Sequence, residues 1–184
     1  STTKLVRAQD LARGVLANVS ADQLDNDTPC ADWKVTQLID HLVGAQLWAA
    51  SGVRGTKMTE TGEGSATGDF AAAFDAAALD CVDAFSEDGA MARTVNPGFG
   101  DMPASALLGM AVTDTFTHAW DVARATGQST DLDPELATEL LAQSRQSIQP
   151  GFRSEEGSIF GLEQPAPEGA SAADQLAAFL GRRL

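Results

Sequence analysis

Apolar residues recur at helical spacing through almost the whole of this chain, and that periodicity constrains its fold more than any other feature. No βαβ alternation and no strand-rich region interrupts the pattern, although a short extended piece is expected near residues 92–95. The fold class indicated is therefore all-α, a four-helix bundle with additional short helices and a long C-terminal connection. The spacing predicts helices over residues 3–19, 34–51, 69–86, 104–126, 134–148 and 172–182.

Two long connections separate the predicted helices. Residues 52–68 are rich in Gly, Thr and Ser, which is the composition of a mobile connector. Residues 149–170 form an irregular segment, and loops of that length in a compact domain are usually functional or disordered. Four apolar residues indicate that this second connection packs against the helices, namely Phe152, Ile159, Phe160 and Leu162.

Length and charge narrow the class of protein. The 184 residues suffice for one domain with a sizeable core, and a hydrophobic fraction of 43% is typical of a globular chain. We expect one domain over residues 1–184. The 12 Lys and Arg against 26 Asp and Glu give a net charge of −14, which repels phosphate backbones and anionic lipids. Nucleic-acid and membrane partners are therefore disfavoured.

The two cysteines, Cys30 and Cys81, lie far apart in the chain. No segment approaches the roughly 20 apolar residues that span a bilayer, and the first residues lack the apolar core of a signal peptide. Two separate thiols without a secretion signal fit a reducing compartment, so a cytoplasmic location is expected. Cys30 is interpreted as packing at a helix start rather than as a nucleophile, and Cys81 as a core residue.

The segment 112–123, VTDTFTHAWDVA, places charged groups on a helix face that should be buried. At 100° per residue from Leu107, Asp114, His118 and Asp121 fall at roughly 340°, 20° and 320°, which is one narrow stripe. Apolar side chains such as Val122 lie on or beside the same stripe. Buried acids and an imidazole cost desolvation free energy unless another group compensates for it.

A divalent metal ion would supply that compensation. Asp114 and His118 project from consecutive turns of one helix, and His41 lies where the second predicted helix can face a neighbour. If the two helices pack together, two imidazoles and a carboxylate form the incomplete shell that zinc uses in catalytic sites. The same set suits iron as a facial triad, and nickel or manganese remains open. A purely structural Asp/His pair is the alternative interpretation.

Three further side chains are candidates for roles near this site. Asp121 is expected either to orient a ligand histidine or to pair with Arg124 three residues further on. Arg124 is also a candidate for binding a substrate carboxylate. Trp48, two turns after His41, is the preferred candidate to line a cofactor pocket, whereas the other two tryptophans, Trp33 and Trp120, are expected to anchor packing.

The segments TPCADWKVTQLIDHLVGA and DTFTHAWDVARATG, together with the closing IFGLEQPAPEGASAADQLAAFLGRR, resemble a known family. The chain resembles the stand-alone actinobacterial metal-binding family of the DinB superfamily. That family is related to the N-terminal domain of mycothiol-dependent maleylpyruvate isomerase. The resemblance extends over nearly the whole chain.

The resemblance implies a DinB-like bundle that holds a divalent metal through His41, Asp114 and His118. It also implies mycothiol as a cofactor, because relatives use the metal to activate this thiol as a thiolate. The thiolate would add to an electrophile such as maleylpyruvate or an epoxide. The isomerase has a glutamate in place of Asp114 and a second domain, so metal binding is implied more strongly than isomerase activity.

Three functions follow as hypotheses. The first is a metal-dependent mycothiol S-transferase that binds a small-molecule thiol and an electrophile, with zinc as the preferred metal and nickel or iron as alternatives. The second is a metal-binding or sensing module without turnover, acting as a homodimer or through another partner. The third is a hydrolase that uses a metal-bound water, with Asp121 or Asp40 as the base.

Overall fold

The computed structural model describes residues 1–30, 32–154 and 160–184, and nearly all of its regular structure is helical. Within these residues the only sheet is a pair of antiparallel two-residue strands, with Thr94 opposite Pro103. The all-α prediction is confirmed. The helices and strands are α1 (Thr3–Leu16), α2 (Val35–Arg54), α3 (Phe70–Ser86), β1 (Thr94–Val95), β2 (Met102–Pro103), α4 (Ala104–Ala125), α5 (Pro134–Ser147) and α6 (Ala172–Phe179).

The four long helices α1 to α4 form the bundle. Helix α4 packs against α1 and α2, and α3 packs against the same two helices. Helices α5 and α6 pack on each other, and α6 also contacts α4. Side-chain oxygens of Asp69, Asp133 and Ser171 cap the first turns of α3, α5 and α6. None of the helices in the described ranges is both long and apolar enough to cross a membrane.

A chain of hydrogen bonds through the core links the four bundle helices. Gln9 Nε2 donates to Gln46 Oε1 at 2.8 Å and to the Ala78 carbonyl at 3.1 Å. Gln46 Nε2 donates to Thr115 Oγ1 at 2.8 Å, and that hydroxyl donates to the Ala111 carbonyl at 2.7 Å. Buried polar groups are tolerated when paired in this way. A shift of any helix by one turn would leave several of these polar groups unpaired. The hydrogen bonds therefore fix the register of the four helices.

The Gly-rich connection after α2 is docked against that helix. A Cβ atom added to Gly62 would lie 1.8 Å from the carbonyl oxygen of Asp40, so only glycine allows the observed approach. The Asp40 carboxylate accepts hydrogen bonds from the backbone N–H groups of Gly64 at 3.1 Å and Ala66 at 2.8 Å. The interpretation of this connection as mobile is wrong for residues 62–66, because their backbone is held by α2.

The connection between α5 and α6 is only partly packed. Phe160 lies against the core, as expected, but Phe152 and Leu162 are 49% and 42% exposed. The packing prediction is wrong for these two residues, and Ile159 lies outside the described residues. Polar contacts hold this segment instead, because Arg153 Nη1 donates to two backbone carbonyl oxygens at 2.6 and 3.0 Å.

Candidate metal centre

The side chains of His41, Asp114 and His118 converge where α2 packs against α4. His41 Nε2 lies 3.2 Å from each carboxylate oxygen of Asp114. His118 Nε2 lies 3.4 Å from Asp114 Oδ1. One ligand atom from each of the three residues lies within 4.8 Å of the other two. The structure therefore brings together the three predicted ligands, and metal ligation itself stays a prediction.

The spacing and chemistry of these donor atoms fit a divalent cation. Two ligands at about 2.1 Å from zinc and at the tetrahedral angle are roughly 3.4 Å apart, close to the separations seen here. The side chains of His41 and Asp114 are 32% and 34% exposed, so the donor set is accessible from one side. The same distances also suit direct hydrogen bonding between Asp114 and His41 in the metal-free protein.

The second ring nitrogen of His118 contacts a buried carboxylate. His118 Nδ1 lies 3.0 Å from Asp121 Oδ2, and the side chain of Asp121 is fully buried. A carboxylate on the far nitrogen of a ligand histidine fixes its tautomer and ring orientation. The position of Asp121 therefore matches the first of its two predicted roles, the orientation of a ligand histidine.

The alternative pairing of Asp121 with Arg124 is wrong. Arg182 holds this carboxylate instead, with Nε 3.1 Å from Oδ1 and Nη2 2.9 Å from Oδ2. Asp121 is buried, whereas Arg124 is exposed on α4. The arginine nearer in sequence therefore lies in solvent and does not pair with the buried carboxylate. The sequence analysis did not identify Arg182 as a partner of Asp121. The one feature that could have indicated it is the pair of arginines that ends the family-resembling segment IFGLEQPAPEGASAADQLAAFLGRR.

Cys30 also borders this cluster. Its Sγ lies 3.2 Å from Asp121 Oδ2, 4.0 Å from His118 Nδ1 and 3.6 Å from Arg182 Nη2. Cys30, His118 and Asp121 thus form a second group that could hold a metal ion. The guanidinium of Arg182 already occupies that carboxylate and repels a cation, so the group with His41 and Asp114 is better suited. Cys30 precedes α2 as predicted, but its contacts with the site were not foreseen.

Hydrogen bonds within the loop before α2 place Cys30 and Trp33. Thr28 Oγ1 donates to the Trp33 carbonyl at 2.7 Å and accepts from the Cys30 backbone N–H at 3.1 Å. Asn26 Nδ2 donates to the carbonyl of Ala125, the last residue of α4, at 3.0 Å. The loop is thereby tied to the same helix that carries the predicted ligands Asp114 and His118.

Trp33 forms an aromatic wall against the two histidines. Its ring centroid lies 4.9 Å from that of His41 and 5.8 Å from that of His118. The prediction that Trp33 only anchors packing is therefore incomplete, because the packing surface is the candidate site. Trp120 is buried on α4 and its Nε1 donates to Asp174 Oδ1 at 2.8 Å, which confirms it as an anchor.

Trp48 lines a separate cavity. Its ring stacks against Phe99 with centroids 6.2 Å apart, and its Nε1 donates to the Pro97 carbonyl at 3.2 Å. The cavity has a volume of about 610 Å³ and lies between the end of α2 and residues 93–98. None of the three predicted metal ligands lines it. Trp48 thus lines a pocket, as predicted, while its binding of a cofactor stays a prediction.

The site's charges are strongly coupled. Burial raises the pKa of Asp114, but the charge and hydrogen bond of His118, with those of His41, outweigh this and hold the pKa well below its usual value. Burial likewise raises the pKa of Asp121, and hydrogen bonds from His118 and Arg182, with the Arg182 charge, lower it to about 2. Burial lowers the pKa of His118, yet Asp114 and then Asp121 raise it well above its usual value.

The second cysteine takes no part in this cluster. Cys81 is fully buried on α3, which confirms its assignment to the core. Burial raises the pKa of its thiol to about 12, and the nearby charge of Asp80 adds to the rise. A thiol in this environment stays protonated at neutral pH and is chemically inert.

Comparison with known proteins agrees with the family resemblance. Residues 5–123 match the family described as Mycothiol maleylpyruvate isomerase N-terminal domain. Two proteins of Mycobacterium tuberculosis, one in each of two strains and both named as uncharacterized, are 46% identical over 180 residues. The alignment covers 96% of this chain and 94% of each relative. No solved structure matches the chain.

Proposed function

Because the chain belongs to the mycothiol maleylpyruvate isomerase N-terminal domain family, which has the DinB-like fold, we propose that it is a metal-dependent enzyme. In this proposal it activates a low-molecular-weight thiol of the mycothiol type for transfer to a small electrophile. The observation that carries the proposal is the convergence of His41, Asp114 and His118 on one accessible point. A divalent metal bound there would lower the pKa of a coordinated thiol, so that the thiolate exists at neutral pH.

Each side chain of the site has a distinct task in this proposal. His41, Asp114 and His118 would hold the metal, and their donor atoms are accessible from one side, since two of the three side chains are about one third exposed. Asp121 accepts from His118 Nδ1 and leaves Nε2 as the ligand atom. Trp33 covers the two imidazoles on one side and keeps water from that face. Zinc is the preferred metal for this donor set, with nickel or iron as alternatives.

The cavity beside Trp48 suits the rest of a bound cofactor or electrophile. Trp48 lies seven residues after His41 on α2, which places it about 10 Å further along the helix and on nearly the same face. The described residues that line the cavity include Arg54, Lys57 and Arg93 and no acidic side chain. Arg54 and Arg93 form ion pairs with Asp80 and Glu87, so among these three cations Lys57 contributes most to the attraction of a polar or anionic group.

The hydrolase alternative is not favoured by the positions of its two candidate bases. Asp121 is fully buried and its carboxylate is engaged by His118, Arg182 and Cys30. The Asp40 carboxylate accepts two backbone N–H groups of the docked loop. A general base must reach the proton that it removes, and both carboxylates are committed to structural contacts.

The first test is metal content by elemental mass spectrometry, on protein purified without a histidine tag or added metal. We expect about one equivalent of one transition metal in the wild type and its loss in His118→Ala. Met110→Ala, which changes an exposed side chain of the same helix, is the matched control and should retain the metal. Absence of metal from the wild type, with none taken up on adding zinc, nickel or iron, would contradict the proposal.

The second test incubates the metal-loaded protein with mycothiol and either maleylpyruvate or an epoxide, and measures loss of the electrophile together with loss of the thiol. We expect turnover in the wild type and none in His118→Ala. Trp48→Ala should keep the metal and raise the KM for thiol or electrophile, because Trp48 lines the cavity and the three predicted ligands do not. Metal binding without conversion of either electrophile would favour the metal-binding or sensing module instead.

A further inference from the structure

We propose that Arg182 is a positioning residue of the metal centre, acting on His118 through the buried carboxylate of Asp121. The inference rests on the proposed metal-dependent function and extends it to a residue of the C-terminal segment. Residues 5–123 match the family, so three predicted ligands and Asp121 lie inside the matched region and Arg182 lies outside it. The site of this chain would then be completed by a segment that the family domain does not supply.

The geometry of the pair carries the proposal. The two nitrogens of Arg182 that face Asp121 lie 3.1 and 2.9 Å from its two oxygens, which is the bidentate arrangement of a guanidinium on a carboxylate. The side chains are 14% and 0% exposed, respectively, so water does not compete for these bonds. Two parallel bonds fix the plane of the carboxylate. Oδ2, one of the two bonded oxygens, is the atom 3.0 Å from His118 Nδ1.

The backbone around Arg182 is anchored by contacts other than the ion pair. Trp120 Nε1 donates to Asp174 Oδ1 at 2.8 Å and thereby holds α6 on α4. The backbone N–H of Arg182 donates to the Ala177 carbonyl at 2.9 Å, which closes the end of α6. Arg182 Nη1 also donates to the Leu180 carbonyl at 3.1 Å. The guanidinium is therefore presented to Asp121 in a set orientation.

Loss of Arg182 would leave the orientation of His118 poorly defined. Among the described contacts of Asp121, Cys30 Sγ approaches the same Oδ2 at 3.2 Å, but a thiol is a weak hydrogen-bond donor. A carboxylate held by the imidazole and a thiol alone can rotate and carry the His118 ring with it. The ligand nitrogen Nε2 would then no longer be held towards Asp114 and His41.

The test compares zinc affinity among the wild type, Arg182→Ala and Arg183→Ala, by competition with a chromophoric chelator. Arg183 is the adjacent arginine and is exposed, so it is a matched control for charge and position. We expect the Kd for zinc to rise roughly 10- to 100-fold in Arg182→Ala, which is the usual effect of removing a residue that orients a metal ligand. The Kd of Arg183→Ala should stay within about twofold of the wild type.

A second readout reports the imidazole directly. The chain has two histidines, so ¹H–¹⁵N spectra of the zinc-loaded protein contain few imidazole signals, and correlation with the assigned backbone of His118 identifies its ring. We expect a slowly exchanging Nδ1–H signal of His118 in the wild type and in Arg183→Ala. In Arg182→Ala the signal should broaden or vanish through faster exchange with water. A merely structural role of Arg182 would leave this signal unchanged in the folded variant.

The outcomes separate the inference from the function on which it rests. Failure of the wild type to bind zinc, nickel or iron would overturn the proposed function, and the inference with it. Equal zinc affinity in the wild type and Arg182→Ala would overturn the inference alone. If Arg182→Ala does not fold, Arg182→Lys replaces it, since lysine keeps the charge but lacks the planar fork. Wild-type affinity in Arg182→Lys would then contradict the need for bidentate positioning.

Discussion

The carboxylate of Asp121 lies 3.0 Å from Nδ1 of His118 in a position that water does not reach. Asp121→Ala removes this acceptor and leaves the Arg182 guanidinium buried without its partner. We expect the free energy of unfolding to fall by about 3–5 kcal/mol, the usual cost of breaking a buried ion pair from one side. Urea unfolding of the metal-free protein measures it.

Asp75→Ala is the control for this prediction. Asp75 pairs with Arg13 at the surface, where its side chain is 59% exposed. The expected loss is about 0–1 kcal/mol, because solvent screens exposed ion pairs. A similar loss in both variants would show that burial of Asp121 adds nothing to the strength of its contacts.

The stability of the metal-free protein should depend on pH in both directions. Asp114 and Asp121 have lowered pKa values, so their contribution is present above the unfolded value of about 3.9 and is lost as the pH falls through the folded values. His118 has a raised pKa, so its contribution is present below the unfolded value of about 6.5 and is lost as the pH rises through the folded value. Stability should therefore be greatest between roughly pH 4 and 6.5 as far as these groups decide it. Urea midpoints from pH 2 to 9 test this.

Metal uptake should release protons. The raised pKa of His118 keeps the metal-free imidazole protonated near neutral pH, and a ligand nitrogen must be deprotonated. We expect zinc affinity to rise with pH and about one proton to be released per zinc at pH 7. Calorimetric titrations in buffers of different ionisation enthalpy measure the number of protons released per zinc ion bound. Release of no proton would contradict the coupling of His118 to Asp114.

The polar chain in the bundle core should contribute measurably to stability. Gln46→Ala removes one of the two hydrogen bonds of Gln9 Nε2 and one of the two of Thr115 Oγ1, while both atoms stay buried. We expect a loss of about 1–3 kcal/mol in the free energy of unfolding from these lost hydrogen bonds. Gln143→Ala, at an exposed position of α5, should change it by less than about 0.5 kcal/mol. Equal effects would mean that water satisfies the core groups.

Gly62 should tolerate no side chain. Gly62→Ala places a methyl group 1.8 Å from the Asp40 carbonyl oxygen, so the docked loop must move away from α2. We expect a loss of at least about 1–3 kcal/mol and faster proteolysis within residues 55–69. Gly14→Ala is the opposite control, because Gly14 lies in α1 with no atom within 4 Å of the added Cβ. It should stabilise the protein by about 0.5–1 kcal/mol.

Local periodicity sufficed to predict the helices and the stripe that carries Asp114, His118 and Asp121. The rise and turn of a helix are the same in any fold, so residues three or four apart share a face whatever surrounds them. The all-α bundle and the family were predicted from sequence and are confirmed. The single domain, the cytoplasmic location, the metal, the thiol and a homodimer stay predictions.

Exposure along that stripe was not predictable from spacing. Asp114, His118 and Asp121 share one helix face, yet their side chains are 34%, 12% and 0% exposed. The gradient arises because other parts of the chain cover one end of the stripe. The loop before α2 brings Cys30 and Trp33 to it, and the C-terminal segment brings Arg182.

The choice of Arg182 over Arg124 shows what the tertiary structure alone decided. Spacing along one helix favours the near arginine, because residues three apart are neighbours on a helix surface. A fully buried carboxylate can be paired only by a cation that the fold also buries. Arg182, 61 residues after Asp121 in the chain, is that cation. Sequence determined which side chains share a helix face, and packing between distant segments determined which of them are desolvated and by what they are held.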